Sequence, residues 1–143
     1  MAFFFLYNIT ISSHSPTFQY SPARNGPIYQ GWNASYSGRP DVSWPINAQD
    51  IGFTTHRTTL PGASAELTWT GTAVSAYGTA NGAYSFLVDG RVPESNGAYP
   101  RDGILGRVIG LPYGEHTMII RTETNLPFSL SGVVLTVGLG AEL

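Results

Sequence analysis

Through most of the second half of this chain, hydrophobic and polar side chains alternate with a period of two. In "ASAELTWTG", Ala65, Leu67 and Trp69 share one face and Glu66, Thr68 and Thr70 the other, the pattern of a half-buried strand. "TAVSAYG" follows at once, and the Thr70-Gly71-Thr72 junction predicts either a tight hairpin or a bulged corner. In "AYSFLVDG", Tyr84, Phe86 and Val88 fall on one face. Asp89-Gly90 then predicts a type I′ turn, because both central positions of that turn need positive φ. "EHTMIIRTE" sets His116, Met118 and Ile120 against Thr117, Ile119 and Arg121, while "LSGVVLTVG" is almost continuously apolar, as a strand buried on both sides would be. No window of about 11 residues carries a 3.6-residue period. The pattern predicts an all-β antiparallel β-sandwich, a jelly roll, forming one domain over residues 1–143.

The tetrapeptide NGAY occurs twice, at 81–84 and 96–99. Asn81-Gly82 lies between two strand patterns and predicts a hairpin that sends Tyr84 into the core. Asn96-Gly97 lies between Pro93 and Pro100, so the second copy predicts a loop with Tyr99 exposed. Residues 21–49 are different again: four prolines and three glycines punctuate a stretch that also holds Tyr29, Trp32, Tyr36 and Trp44. A loop that long is functional or disordered, and its aromatic content argues for order against the sandwich. The opening "MAFFFLYNITI" lacks a basic n-region and a cleavage site, and reads as an edge strand, with the tail of a trimmed signal as the alternative. No apolar run reaches the roughly 18 residues of a membrane span.

Composition narrows the function classes. Only 11% of residues are charged, the formal net charge is −2, and all seven basic residues are scattered arginines. That distribution lacks the basic stripe of a nucleic-acid binder. Cysteine is absent, which removes disulfides, zinc-thiolate sites and thiol catalysis together. The sequons Asn8-Ile-Thr and Asn33-Ala-Ser are glycan acceptors if the chain is secreted.

The stretch "TLPGASAELTWTGTAVSAYGTANGAYSFLVDG" followed by "LPYGEHTMIIRT" resembles extracellular domains of fungal, chiefly mushroom-type, proteins with a galactose-binding-like jelly-roll fold. The shared elements are Gly-Ala-Ser before a Thr/Trp-rich strand, Thr-Gly-Thr-Ala-Val, Tyr-Gly, Tyr-Ser-x-x-x-Asp-Gly and Leu-x-Tyr-Gly-Glu-His-Thr. "FQYSP", "GWNASYSG" and "FTTHRT" match the looser first half, so the resemblance covers residues 8–137 and is specific over 59–122. It implies an extracellular or cell-surface lectin or carbohydrate-binding module, in a fold that sometimes holds a structural calcium. It brings no universal ligand motif, so sites must be argued from residues.

Binding a sugar takes an aromatic platform for the pyranose C–H face, with planar donors and acceptors for the hydroxyls. One loop offers Tyr29, Trp32, Asn33, Tyr36, Arg39, Asp41 and Trp44, and the other offers Asn96, Tyr99, Arg101 and Asp102. Trp32 and Trp44 have a second reading as anchors that hold their loop down. Tyr99-Pro-Arg-Asp resists that reading and is the preferred contact. His56-Arg57, at a strand end, is a further candidate, whereas His116 reads as a hydrogen-bonded core or rim residue. Asp41, Asp50 and Asp102 are the loop carboxylates available to calcium. There is no G-x-S-x-G elbow and no paired spacing among the nine acids. The expectation is a domain without catalysis that binds a glycan or cell-wall polysaccharide through end loops, self-assembling for avidity. The rivals are an adhesion ectodomain that pairs through its first strand and a glycan-active hydrolase.

Overall fold

A computed structural model of the protein describes residues 2–36, 54–93 and 103–142. Among these residues there are nine strands and no helix. The strands are β1 (Ala2–Ser12), β2 (Gln19–Ser21), β3 (Asn33–Tyr36), β4 (Thr54–Thr58), β5 (Ser64–Ala80), β6 (Tyr84–Val88), β7 (Ile104–Val108), β8 (Gly114–Thr122) and β9 (Phe128–Glu142). Every pairing is antiparallel.

β5 is long enough to belong to both layers of a jelly-roll sandwich. Its first half, from Ser64 to Gly71, pairs with β8, which in turn pairs with β6. Its second half, from Gly71 to Ala80, lies between β9 and β7. β4 and β1 run one after the other along the far side of β9, and β3 pairs with β4. Leu67, Trp69, Met118, Ile120 and Phe86 from the first layer meet Val74, Leu105, Leu130, Val133 and Leu135 from the second in one buried cluster.

A strand that changes layers must keep its apolar face inward, and a bulge does this by shifting the parity of the alternation. In β5 the buried positions are odd through Ala65, Leu67 and Trp69, then even at Val74, Ala76 and Gly78. The change falls at the register shift between Gly71 and Ala73. β9 carries the same device at Ser131, so that Leu130 and then Val133 and Leu135 all point inward. The Thr70-Gly71-Thr72 junction is therefore the bulged corner, and β9 alternates: Ser131, Val134 and Thr136 are only half-buried, because one face of its sheet stays open.

Asp89 and Gly90 adopt φ of 53° and 78°, the two positive angles that the turn requires. Asn81-Gly82 departs from expectation. β6 pairs with β8 rather than β5, so this dipeptide turns a corner between layers and not a hairpin. Asn81 N donates to Pro127 O at 3.1 Å and Glu123 N to Ala83 O at 3.1 Å, tying the two crossovers together. Tyr84 still packs against the core, with its hydroxyl donating to Leu105 O across the sandwich.

Candidate functional site

Residues 22–32 leave β2 as an irregular loop that is tightly held. Arg24 donates to Phe18 O at 2.9 Å, His14 O at 2.7 Å and Ser15 O at 3.0 Å, using its planar fork on three carbonyls at once. Its guanidinium also lies 5.1 Å from the centre of the Tyr20 ring. Ile28 O accepts bonds from Thr59 N and the hydroxyls of Thr58 and Thr59, which fastens the loop's tip to the end of β4. The next residue, Tyr29, is left 66% exposed on a backbone with little freedom.

Two of the sequence candidates turn out to be interior. Trp32 is 0% exposed; its ring meets Tyr20 at 5.1 Å and Phe128 at 5.9 Å, and Nε1 donates to Ser21 O at 3.2 Å. It anchors the loop and presents no face to a sugar. His56 is 1% exposed, stacked on Tyr20 at 4.3 Å and 4.6 Å from the ring of His14. Its Nδ1 meets Ser13 Oγ at 3.3 Å, while Nε2 is buried and has no hydrogen-bond partner among the described residues. Burial first, then the nearby His14 and Arg24, pushes its pKa down to about 4. His56 is therefore a neutral core residue and not a ligand contact.

Arg57 is different. Since His56 and Thr58 point inward, Arg57 points outward, and it stands opposite Asn33 in the β3–β4 ladder. Cross-strand partners hold their Cβ atoms roughly 5 Å apart. Asn33 Nδ2 donates to Gly26 O at 2.8 Å, so its carbonyl oxygen is oriented as well. The β3–β4 ladder thus sets an amide opposite a guanidinium, and the loop tied to the end of β4 carries an exposed ring, Tyr29. Tyr36 closes β3 opposite Thr54. The other candidates, Trp44, Asn96, Tyr99, Arg101 and Asp102, lie outside the described residues, as do Arg39 and the proposed calcium carboxylates Asp41 and Asp50. Among the described residues, no three His, Cys, Asp or Glu side chains gather as a metal would need, and no helix is long and apolar enough to cross a membrane.

A second cluster forms where the Asp89-Gly90 turn meets β8, and in it His116 is the hydrogen-bonded rim residue that the sequence predicts. His116 Nδ1 donates to Asp89 Oδ2 at 2.6 Å and Nε2 donates to Pro112 O at 2.7 Å. Thr117 N donates to Asp89 Oδ1 at 2.9 Å. Two acceptors facing one ring require both nitrogens to carry protons, so His116 is an imidazolium. Burial alone would lower its pKa, but the bonds to Asp89 and Pro112 and the Asp89 charge raise it. In that state it has no lone pair with which to act as a base. Beside the turn is a groove of about 530 Å³, lined by Val88, Asp89, Arg91, Val92, Val108 and Leu111. Pro93 completes its wall. No signal in the sequence could have joined Asp89 to Val108 and Leu111, since their proximity comes from the pairing of distant strands.

Neither a protein-family model nor a curated protein sequence matches the chain. Its fold does match solved structures. A family two carbohydrate esterase from Cellvibrio japonicus aligns over 97% of this chain with a TM-score of 0.57 and 18% identity. A two-domain esterase active on acetylated mannans, co-crystallised with mannopentaose, aligns over 91% with a TM-score of 0.48 and 16% identity. The chain spans 37% and 36% of those two proteins' lengths. The likeness to the first of these shows the fold, an all-β one. The expectation of a domain without catalysis is overturned by the same finding, because the fold that covers nearly this whole chain occurs within a carbohydrate esterase.

Proposed function

We infer that this protein recognises a glycan through the margin formed by the 22–32 loop and the β3–β4 ladder, in the setting of carbohydrate-ester chemistry. The observation that carries the reading is the opposition of Asn33 and Arg57 across the β3–β4 ladder, with an exposed Tyr29 on the loop fastened to the end of β4. A pyranose stacks its C–H face on Tyr29, while Arg57 and the Asn33 amide bond its hydroxyls. Because the loop is already held by Arg24 and Trp32, little ordering cost opposes binding. Tyr99, Arg101, Asp102, Asn96 and Trp44 belong to the same proposal as further contacts, as does an extracellular or cell-surface location where polysaccharides are met.

The test is a glycan array run alongside an ester-release assay on acetylated and deacetylated polysaccharide. Binding should be found on the array, and Tyr29→Ala and Arg57→Ala should each weaken it about fivefold or more. A blank array on folded protein, or binding untouched by either substitution, would refute the assignment. The esterase assay then decides whether this chain acts on the glycan that it holds.

A further inference from the structure

We propose that the groove beside the Asp89-Gly90 turn is a second binding site, one that takes a neutral pyranose unit. The assignment rests on the glycan reading above and extends it to a surface that shares no residue with the first. The cavity, about 530 Å³, falls within the roughly 300–1,000 Å³ of small-ligand sites.

Its polar groups are few and fixed. The Asp89 carboxylate is oriented by Thr117 N–H on one oxygen and by the His116 imidazolium on the other. Each oxygen has lone-pair capacity left for a hydroxyl. Arg91 is two residues on, across a turn closed by Val88 N to Arg91 O at 2.9 Å and Arg91 N to Val88 O at 3.1 Å. One wall therefore offers an anionic acceptor beside a cationic donor, matching adjacent hydroxyls that donate to the first and accept from the second.

The remaining lining of Val88, Val92, Pro93, Val108 and Leu111 is apolar, as the C–H face of a sugar ring requires. An acceptor and a donor side by side pair with hydroxyls on both, the pattern that a neutral sugar presents. His116 does not touch the ligand; it is a positioning residue that keeps the Asp89 carboxylate aimed.

The experiment is amide chemical-shift mapping of the whole chain with cellotetraose, xylotetraose, mannotetraose and tetragalacturonate as probes. At least one neutral tetrasaccharide should shift amides at 88–93 and 107–111. Arg91→Gln should weaken that binding about fivefold, because a charge-assisted hydrogen bond is lost. Val92→Arg, which fills the groove from an exposed position, should abolish these shifts and leave those around Tyr29 intact. Shifts confined to residues 28–33 and 57–59 would overturn the groove and leave the first site standing. Tetragalacturonate binding in the groove would overturn the neutral ligand, and no shift with any probe would overturn both sites.

Discussion

The imidazole of His116 is clamped between the Asp89 carboxylate and the Pro112 carbonyl, at 2.6 and 2.7 Å. Residues 27 positions apart are joined by this contact, which ties the β6 turn to β8. The turn needs such a tie because Asp89 holds a φ of 53°, which non-glycine residues seldom adopt.

The clamp makes stability depend on pH in a definite direction. The folded pKa of His116 is raised above 6.5, so its contribution is complete below 6.5 and is lost as pH rises through the raised value. The Asp89 pKa is lowered from 3.8, chiefly by the His116 hydrogen bond, so its share is present above 3.8 and lost as pH falls through the lower value. Because the carboxylate is partly open to solvent, the effect is held to about 1 kcal/mol. Urea unfolding should show the wild type weakening as pH rises above 6.5, and Asp89→Asn should flatten that slope. Equal slopes in the two proteins would remove the imidazolium from the account.

His56 works in the opposite direction. Its folded pKa of about 4, against 6.5, means that its neutral state is stabilising above 6.5 and that stability falls with pH between these values. No carboxylate among its described neighbours offsets the charge; His14, Tyr20, Arg24 and Ser13 surround it. The cost on full protonation is on the order of 3 kcal/mol. His56→Gln keeps a polar group beside Ser13 and cannot take the proton. Denaturation curves from pH 7 to pH 4 should converge, with the variant weaker at pH 7 and losing less on acidification. Parallel curves would show that some other group drives the acid loss.

Local chemistry was legible in the sequence; the choice of neighbour was not. The Asp89-Gly90 turn follows from two φ angles, and the burial of Ala65, Leu67 and Trp69 from a period of two. Asn81-Gly82 also turns the chain, but which strand β6 then joins depends on β8, more than 30 residues later in sequence. The same limit applies to Trp32 and Tyr29: both are aromatics in one loop, and only the ring positions of Tyr20 and Phe128 assign the first to the core. Arg24 went unnoticed because its partners are carbonyls, which leave no trace in residue identity.

The division between Trp32 and Tyr29 is itself measurable. Removing a buried indole leaves a cavity, so Trp32→Ala should cost about 3–5 kcal/mol. It should also release the 22–32 loop, seen as loss of amide-exchange protection at Trp32 N, which donates to Ala23 O at 2.9 Å. Tyr29→Ala should change stability by no more than about 0.5 kcal/mol, because its ring is already exposed. A Trp32→Ala protein with wild-type stability would undo the anchor role.

Gly71 and Gly114 face one another across the β5–β8 ladder, yet they should respond oppositely to alanine. A Cβ at Gly71 would stand 1.8 Å from Thr136 O and 3.0 Å from Val137 Cα. Both are backbone atoms of β9, so no side-chain rotation can relieve the clash, and the bulge that carries β5 between layers would have to move. Gly71→Ala should therefore cost more than about 3 kcal/mol or prevent folding. A Cβ at Gly114 meets nothing within 4 Å. There the substitution only restricts the unfolded chain, so Gly114→Ala should be neutral or stabilise by up to about 1 kcal/mol. Thermal unfolding of the two variants side by side checks the close approach of β5 and β9. Similar melting temperatures would mean that the bulge is looser than this packing requires.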